Sequence, residues 1–192
     1  MSDSPSGSQE AQGLLSPFLA RRRYTHAARY VQADDTVLDL GCGSGAFKGY
    51  LPQGAAYLGA DIARYWPTGT ADRFVVKVGQ PLPAKLRQKR ITIVTALALI
   101  EHLAKPEELF AQARRALTPG GRFVLTTPHP LGRKAHDLGG AIGVFSNDAS
   151  EEHETFLDKR DLAGLAQREG FELTDYKRFL FGMNQVAEFT KR

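Results

Sequence analysis

The sequence has little cysteine and no long apolar run. Cys42 is the one cysteine among 192 residues, which excludes an intramolecular disulfide and predicts a reducing, cytoplasmic location. No stretch approaches the roughly 20 consecutive apolar residues that cross a bilayer, so we expect no membrane span. Residues 1–12 are rich in serine and glycine and lack an apolar segment, so we expect no secretory signal there.

Metal-ligand patterns and a strong excess of one charge are also missing. His129, His136 and His153 are widely spaced and lack a cysteine or His-x-x-x-His pattern, so we expect no metal site. The 25 basic and 21 acidic residues leave a net charge of +4, which is too small to indicate nucleic acid as a partner. The sequence does not determine the oligomeric state.

The composition predicts one domain with a tail before it and a long loop within it. Residues 1–15 are predicted to be a disordered tail. Residues 16–192 form the domain, and its first helix begins with Ser16 as cap and Pro17 in the first turn. Residues 128–155 show no clear period and contain several glycines, which predicts a functional loop or lid.

Strand-type and helix-type segments alternate along most of the chain. The predicted strands cover residues 36–40, 55–60, 74–78, 91–96, 122–127, 171–178 and 185–190, and the predicted helices cover residues 16–31, 46–51, 106–117 and 158–169. This alternation predicts an α/β fold, with a parallel sheet and helices on both faces. The last two strands follow each other directly, so the final strand is expected to run antiparallel.

A glycine-rich segment follows the first predicted strand. Asp39 precedes three glycines at alternate positions, Gly41, Gly43 and Gly45. Glycine is needed where the backbone turns sharply or comes close to a bound group. A loop between a strand end and a helix start points free N–H groups at a ligand. Asp61 ends the second predicted strand and is placed to accept hydrogen bonds from a ribose diol, so these features predict a nucleotide-type ligand.

The acid before the loop separates two ligand classes. Residues 41–46 also satisfy the G-x-G-x-x-A pattern of a nicotinamide-binding unit. The pyrophosphate of such a dinucleotide is negative, so Asp39 would be unfavourable beside it. A cofactor that carries an ammonium and a sulfonium group would instead be attracted, and Asp39 therefore favours that class.

Four motifs occur in order along the chain: residues 39–45, the acid Asp61, residues 101–103 (Glu-His-Leu) and residues 119–121 (Pro-Gly-Gly). Together they resemble the class I S-adenosylmethionine-dependent methyltransferases, in particular the small-molecule branch similar to the enzymes of ubiquinone biosynthesis. The resemblance covers residues 37–192. It implies a Rossmann-like seven-stranded sheet, mostly parallel with an antiparallel last strand, and S-adenosyl-L-methionine as the cofactor.

The resemblance also implies roles for individual residues. Asp39 should orient the ammonium group of the cofactor through water, Asp61 should bind the ribose hydroxyls, and Ile62 should lie against the adenine. The glycines let the backbone approach the methionine part. The implied cofactor-binding set is Asp39, Gly41, Cys42, Gly43, Gly45, Asp61, Ile62, Ala96 and Leu97, the last two through their backbone at the methionine end.

Three departures from the family pattern concern the adenine end. Val78 and Gly79 occupy the region where an acid often faces the adenine amino group. Thr92 lies near the start of the fourth strand, where an aspartate is usual. Pro67 and Gly69 shorten the helix that usually follows the ribose-binding acid. The methionine and ribose ends are unaffected.

The expected reaction is in-line methyl transfer to a small-molecule acceptor, by O- or C-methylation. Such an acceptor benefits from a general base, and histidine titrates near neutral pH. The candidate bases are His102, near the cofactor by its motif, and His153, before the last helix. The candidate substrate residues are Arg21, Arg22, Tyr24 and His129. Cations in the first helix and in the loop over residues 128–155 favour an anionic acceptor.

Three alternatives stay open at this stage. The basic first helix is the one feature that favours an RNA or protein methyltransferase. A module that binds S-adenosylmethionine without catalysis would carry the same loop. A nicotinamide oxidoreductase would satisfy the glycine pattern and is disfavoured by Asp39.

Overall fold

The computed structural model describes residues 7–62, 66, 70–131 and 156–192, with the backbone alone for residues 7–16. The strands among these residues are β1 (Thr36–Leu40), β2 (Ala56–Asp61), β3 (Arg73–Val75), β4 (Ile91–Leu97), β5 (Leu117–Pro128), β6 (Phe171–Phe179) and β7 (Asn184–Lys191). The helices are α1 (Gly7–Ala28), α2 (Ala84–Arg87), α3 (Pro106–Ala116) and α4 (Lys159–Arg168), with short 3-10 helices at Ala46–Tyr50 and Ile100–His102.

The described strands form one seven-stranded sheet in the order β3-β2-β1-β4-β5-β7-β6. The first five strands are parallel where they pair, and β7 lies antiparallel between β5 and β6. This confirms the predicted Rossmann-like sheet with its antiparallel last strand. The carboxyl ends of the parallel strands therefore meet at one edge of the sheet, where α/β proteins of this type bind ligands.

Both faces of the sheet are buried. One face packs against α3 and α4 around an aromatic cluster, in which the ring of Phe110 lies 5.1 Å from those of Phe123 and Phe189. The other face packs against α1 through Val37 and Ile93, which are fully buried. Neighbouring residues of β1 alternate between the two faces. None of the helices in the described ranges is long and apolar enough to cross a membrane.

The first helix begins earlier than the sequence predicted. The helix α1 starts at Gly7, so Ser16 is not its cap and Pro17 lies inside it. The physical reason is that residues 9–15 are mostly good helix formers, and these override the Ser-Pro start signal. The proposed tail over residues 1–15 is thus helical from Gly7. Residues 1–6 lie outside the described part of the chain, and the division into tail and domain stays a prediction.

Two further segments of the prediction concern the strand β3 and the loop over residues 128–155. The strand β3 ends at Val75 rather than residue 78, because it pairs only with β2, whose last paired residue is Asp61. Of the loop predicted over residues 128–155, residues 132–155 lie outside the described part of the chain. The Pro-Gly-Gly motif at residues 119–121 falls within β5, where Gly120 has a φ of 70° and the pairing with β4 shifts register.

The helix α4 has a capping box at its start. Asp158 accepts from the backbone N–H groups of Arg160 and Asp161 at 2.7 and 2.9 Å, and the Asp161 carboxylate accepts from the Asp158 N–H at 3.0 Å. Replacing Asp158 by alanine should lower the free energy of unfolding by about 1 kcal/mol, because two helix N–H groups lose their acceptor. Urea denaturation monitored by circular dichroism measures this change.

The matched control is Glu172→Ala, which removes an exposed ion pair with Arg192 at 3.3 Å. Exposed pairs contribute little, so we expect a loss below about 0.5 kcal/mol. A loss below about 0.5 kcal/mol in Asp158→Ala as well would contradict a stabilising cap at the start of α4.

Candidate active site

A glycine loop follows β1 at the carboxyl edge of the sheet. Gly41, Gly43 and Gly45 have φ angles of 71°, 51° and 80°, which glycine adopts without the steric cost of a side chain. The N–H groups of Gly41 and Cys42 donate to the carbonyl oxygen of Ala60 in β2, at 2.8 and 3.1 Å. A Cβ at Gly43 would meet no atom of the described residues within 4 Å. The loop therefore has an open face at Gly43 where a ligand can reach the backbone.

Asp61 lies beside this open face, at the end of β2. One of its carboxylate oxygens accepts from the Gly43 N–H and the other from the Ile62 N–H, both at 2.7 Å. The Ile62 side chain is 67% exposed. Asp61 therefore lies beside the open face of the loop, and the contacts of Asp61 with the ribose and of Ile62 with the adenine stay predictions.

Asp39 is buried beneath the loop, with both carboxylate oxygens occupied. The Tyr57 hydroxyl of β2 donates to one oxygen and the Thr95 hydroxyl of β4 to the other, each at 2.7 Å. Burial raises the pKa of Asp39 to about 6, and the two hydroxyl hydrogen bonds and the charge of Arg73 oppose this shift. Each carboxylate oxygen has a further lone pair, so Asp39 can still accept from a ligand or water.

Arg73 is a second charged group beneath the loop, and the sequence analysis missed it. Its side chain is 8% exposed, and its guanidinium carbon lies 4.6 Å from the centre of the Tyr57 ring. In the described structure Nε and Nη1 have no hydrogen-bond partner. Tyr57 and Thr95 were missed as well, because only the strand register brings them beside Asp39. A buried positive charge therefore accompanies the buried carboxylate.

The thiol of Cys42 is not suited to nucleophilic chemistry. Cys42 is buried in the glycine loop. Burial, with smaller contributions from Asp39 and Asp61, raises the pKa of the thiol to about 12. The thiolate is the reactive form of cysteine, so this side chain stays protonated and unreactive at neutral pH. Its contribution to a ligand is expected from its main chain, as the sequence analysis predicted.

The end of β4 forms a strained turn at the same edge of the sheet. Ala96 is fully buried and Leu97 half-buried, and the next residue, Ala98, has a φ of 57°. A left-handed conformation is uncommon for alanine and costs about 1–2 kcal/mol. Such strain is concentrated at functional sites. The backbone after Ala96 and Leu97 therefore turns beside the glycine loop, where the cofactor contacts are predicted.

Glu101 is a buried carboxylate next to this turn. It is 3% exposed, and its Oε2 accepts from the Thr127 hydroxyl of β5 at 3.0 Å. Burial raises the pKa of Glu101, and its hydrogen bonds and the nearby Arg23 and His102 side chains oppose this shift without cancelling it. Arg23 of α1 donates weakly to the Asn184 side chain, with 3.5 Å between Nε and Oδ1. These groups from four elements form a polar cluster beside the carboxyl ends of β4 and β5.

The candidate bases and substrate residues from the sequence are dispersed. Arg21 and Arg22 are exposed on α1, and His102 is exposed on its 3-10 helix. Tyr24 packs against Phe47 and Tyr50, with ring centres 5.8 and 5.2 Å apart, and so borders the helix after the glycine loop. His153 lies outside the described residues. The structure therefore does not bring these candidates together, and their roles stay predictions.

His129 belongs to a basic groove on the other side of the same edge. A groove of about 480 Å³ lies between the start of α4 and β6. It is lined by His129, Asp158, Lys159, Arg160, Ala163, Tyr176 and Arg178. Burial and the charge of Arg178 lower the pKa of His129. Three permanently positive side chains and one histidine make this groove suitable for an anion.

The arrangement at the glycine loop fits S-adenosylmethionine, the cofactor that the sequence resemblance implies. A carboxylate at the end of β1 suits the ammonium group, and a carboxylate at the end of β2 suits the ribose diol. The open face at Gly43 lies beside the second of these. In the ranges that the structure describes, no group of three or more His, Cys, Asp or Glu side chains is placed to hold a metal.

Comparison with known sequences gives one family and several distant relatives. A family model described as a methyltransferase domain matches residues 11–176. The ubiquinone biosynthesis O-methyltransferase of Dechloromonas aromatica is 29% identical over 109 residues, which covers 50% of this chain and 45% of the relative. The 27-O-demethylrifamycin SV methyltransferase of Amycolatopsis mediterranei is 26% identical over 169 residues, covering 77% and 60%. The chain spans less than two-thirds of both relatives.

Comparison with solved structures supports the fold. A protein of Thermotoga maritima, described as an S-adenosylmethionine-dependent methyltransferase and possible histamine N-methyltransferase, superposes with a TM-score of 0.66. The sequence identity is 19%, and the match covers 96% of this chain and 98% of the other. At this level of identity the likeness concerns the architecture of the sheet and its helices.

Proposed function

Given that this chain belongs to the methyltransferase-domain family, we propose that it transfers the methyl group of S-adenosylmethionine to a small organic acceptor. The observation that carries this proposal is the arrangement at the carboxyl edge of β1 and β2. Buried Asp39, the open loop at Gly43 and Asp61 lie next to one another there. The names of both curated relatives describe methylation of oxygen, which supports an oxygen acceptor.

The residues of this chain bind and orient, and the cofactor supplies the reactive group. When bound, S-adenosylmethionine provides a methyl group made electrophilic by its sulfonium. Asp39 attracts the ammonium group, and Asp61 accepts hydrogen bonds from the ribose hydroxyls. The backbone at Gly43 approaches the part of the cofactor that joins these two groups. Holding an acceptor in line with the methyl group contributes about 7–11 kcal/mol in favourable systems, so no covalent residue is required.

The acceptor is proposed to bind over the carboxyl ends of β4 and β5. Glu101 and Thr127 form a buried hydrogen-bonded pair there, and Arg23 and Asn184 border it. Because burial raises the pKa of Glu101, this carboxylate is suited to accept the proton of an acceptor hydroxyl. Glu101 thus joins His102 as a candidate base within the described residues.

The direct test is methyl transfer from radiolabelled S-adenosylmethionine to a panel of phenols and hydroxy acids. We expect S-adenosylhomocysteine and methylated acceptor to form in equal amounts. Transfer only to RNA or protein added to the same assay would contradict a small-molecule acceptor. Cofactor binding without transfer to any class of acceptor would favour a non-catalytic module.

The basic groove supports an acceptor that carries an anionic group. Arg178, Lys159 and His129 line it at the same edge of the sheet as the polar cluster. For acceptors matched in all but a carboxylate, we expect Arg178→Gln to raise the KM of the anionic acceptor about tenfold, equivalent to ~1.4 kcal/mol. The KM of the matching amide should not change, because it lacks the charge.

The matched control is Arg168→Gln, which removes an exposed positive charge at the far end of α4. A similar rise in KM for both variants would indicate a general effect of net charge. Equal KM values for the acid and the amide in the unmodified protein would contradict an anionic acceptor.

A further inference from the structure

Arg73 is a buried arginine that the binding roles proposed above do not use. It is the first residue of β3 and pairs in register with Gly59 of β2. Its ion pair with Asp72 is long, at 3.7 Å, and within the described structure Nε and Nη1 lack a hydrogen-bond partner. A buried charge is costly unless it is well paired, and unsatisfied buried donors are rare in folded proteins. The position of this side chain therefore requires an explanation.

Two glycines make room for the Arg73 side chain. A Cβ at Gly59 would lie 2.8 Å from the Cδ atom of Arg73, and a Cβ at Gly45 would overlap its guanidinium. Gly45 is the third glycine of the loop and precedes the 3-10 helix Ala46–Tyr50. The guanidinium thus packs directly against the loop that is proposed to receive the cofactor.

The guanidinium also contacts the ring that holds Asp39. Its carbon lies 4.6 Å from the centre of the Tyr57 ring, and the hydroxyl of that ring donates to Asp39 at 2.7 Å. A cation over an aromatic face is attracted to it. Arg73, Tyr57 and Asp39 therefore form a continuous chain of contacts from the start of β3 to the end of β1.

We propose that Arg73 is a positioning residue for the cofactor, whose charge balances the Asp39 carboxylate and whose side chain holds Tyr57 and the glycine loop in the binding arrangement. The proposal rests on the proposed function and assigns to Arg73 no direct contact with the cofactor. It explains why an arginine without full hydrogen bonding is kept beneath the loop. It also gives Gly45 and Gly59 a second role, which is to admit this side chain.

Arg73 is the one permanently positive group among those that face Asp39 in the described structure. The others are Tyr24 from α1, Cys42 from the loop, Tyr57 and Asp61 from β2, and Thr95 from β4. Burial raises the pKa values of Tyr24, Cys42 and Tyr57, so none of the three ionises below pH 7. Loss of the Arg73 charge should therefore make Asp39 harder to ionise.

The test measures the affinity for S-adenosylhomocysteine, which carries the same ammonium group, by calorimetry between pH 5 and pH 7.5. In the unmodified protein we expect the affinity to fall as the pH decreases through about 6, because Asp39 takes up a proton there. In Arg73→Met we expect about twofold weaker binding at pH 7 and about tenfold weaker binding at pH 5, because less of Asp39 is ionised at each pH. The fall should begin about one pH unit higher, as expected for loss of a nearby opposite charge. Arg73→Lys keeps the charge and should restore most of the original pH profile.

The control for surface charge is Arg87→Met on α2, which is exposed and should bind as the unmodified protein does. In an Asp39→Asn background, Arg73→Met should no longer shift the pH profile. Weaker binding of equal size at every pH, or the same shift without Asp39, would overturn the proposal in favour of a structural role. Failure of the unmodified protein to bind would instead count against the proposed function. Thermal melting establishes that each variant is folded.

Discussion

Replacing Asp39 by asparagine should weaken cofactor binding by about 10- to 100-fold, which is the loss expected for one charge-assisted hydrogen bond. The same replacement should stabilise the cofactor-free protein. Burial raises the pKa of Asp39 from an ordinary 3.8 to about 6. The ionised carboxylate is therefore less favourable in the folded protein than in the unfolded chain. The free energy of unfolding therefore falls by roughly 2–3 kcal/mol as the pH rises from about 4 to 6. It stays at the lower value above pH 6. Asparagine avoids this cost.

The two effects are measured separately. Calorimetry with S-adenosylhomocysteine at pH 7 gives the affinity, and thermal melting of the cofactor-free protein at pH 5 and pH 7.5 gives the stability. The melting temperature of the variant should exceed that of the unmodified protein at pH 7.5 and approach it at pH 5. The control is Asp34→Asn, which makes the same substitution at an exposed position just before β1. A variant that is less stable at pH 7.5 would contradict the cost assigned to the buried charge.

Replacing Asp61 by alanine should reduce the affinity for the cofactor by about 100-fold or more. The carboxylate is expected to accept two hydrogen bonds from the ribose diol, each contributing about 1.5–3 kcal/mol. The change also removes the acceptor of the Gly43 N–H, which is 2.7 Å from Asp61. Asp61→Asn keeps one acceptor oxygen and should give an intermediate loss.

A cofactor analogue isolates the contribution of the ribose. The penalty for Asp61→Ala should be large with S-adenosylhomocysteine and small with its 2′,3′-dideoxy form, which has no hydroxyl groups to bind. Glu172→Ala on β6, which removes an exposed ion pair with Arg192 at 3.3 Å, is the control and should leave both affinities unchanged. The same penalty with both ligands would mean that Asp61 acts through the loop rather than through the ribose.

The sequence was a good guide where the determinants are local. The strand over residues 36–40 was predicted at its observed bounds, because its apolar run ends at a glycine turn. The glycine loop was recognised for the same reason. The start of α1 was wrong, since Ser16 and Pro17 form a start signal that the helix formers before them override.

The groups around Asp39 depend on strand pairing, and no local signal could have revealed them. The register places Asp39 beside Gly59 of β2 and Thr95 of β4, and Gly59 beside Arg73 of β3. An arginine at the start of a short strand is an ordinary residue in the sequence. It becomes notable only when the pairing puts it over Tyr57 and beneath the loop.

The acceptor side was equally hidden, because its groups are far apart along the chain. Glu101 and Thr127 are separated by 26 residues, and Arg23 and Asn184 by 161. The substrate residues predicted from the sequence include the adjacent cations Arg21 and Arg22, which lie exposed on α1. Adjacent residues on a helix point in different directions, so a run of like residues does not identify a site.

The position of β7 has a consequence for how the protein is made. β7 is hydrogen-bonded on one side to β5 and on the other to β6, although it is the last strand along the chain. During synthesis, the edges of β5 and β6 that later pair with β7 stay unpaired until residues 184–191 emerge from the ribosome. Unpaired edges are prone to association with other chains. A ribosome stalled before β7 should therefore expose an aggregation-prone nascent chain, whereas the first five strands can already pair with one another.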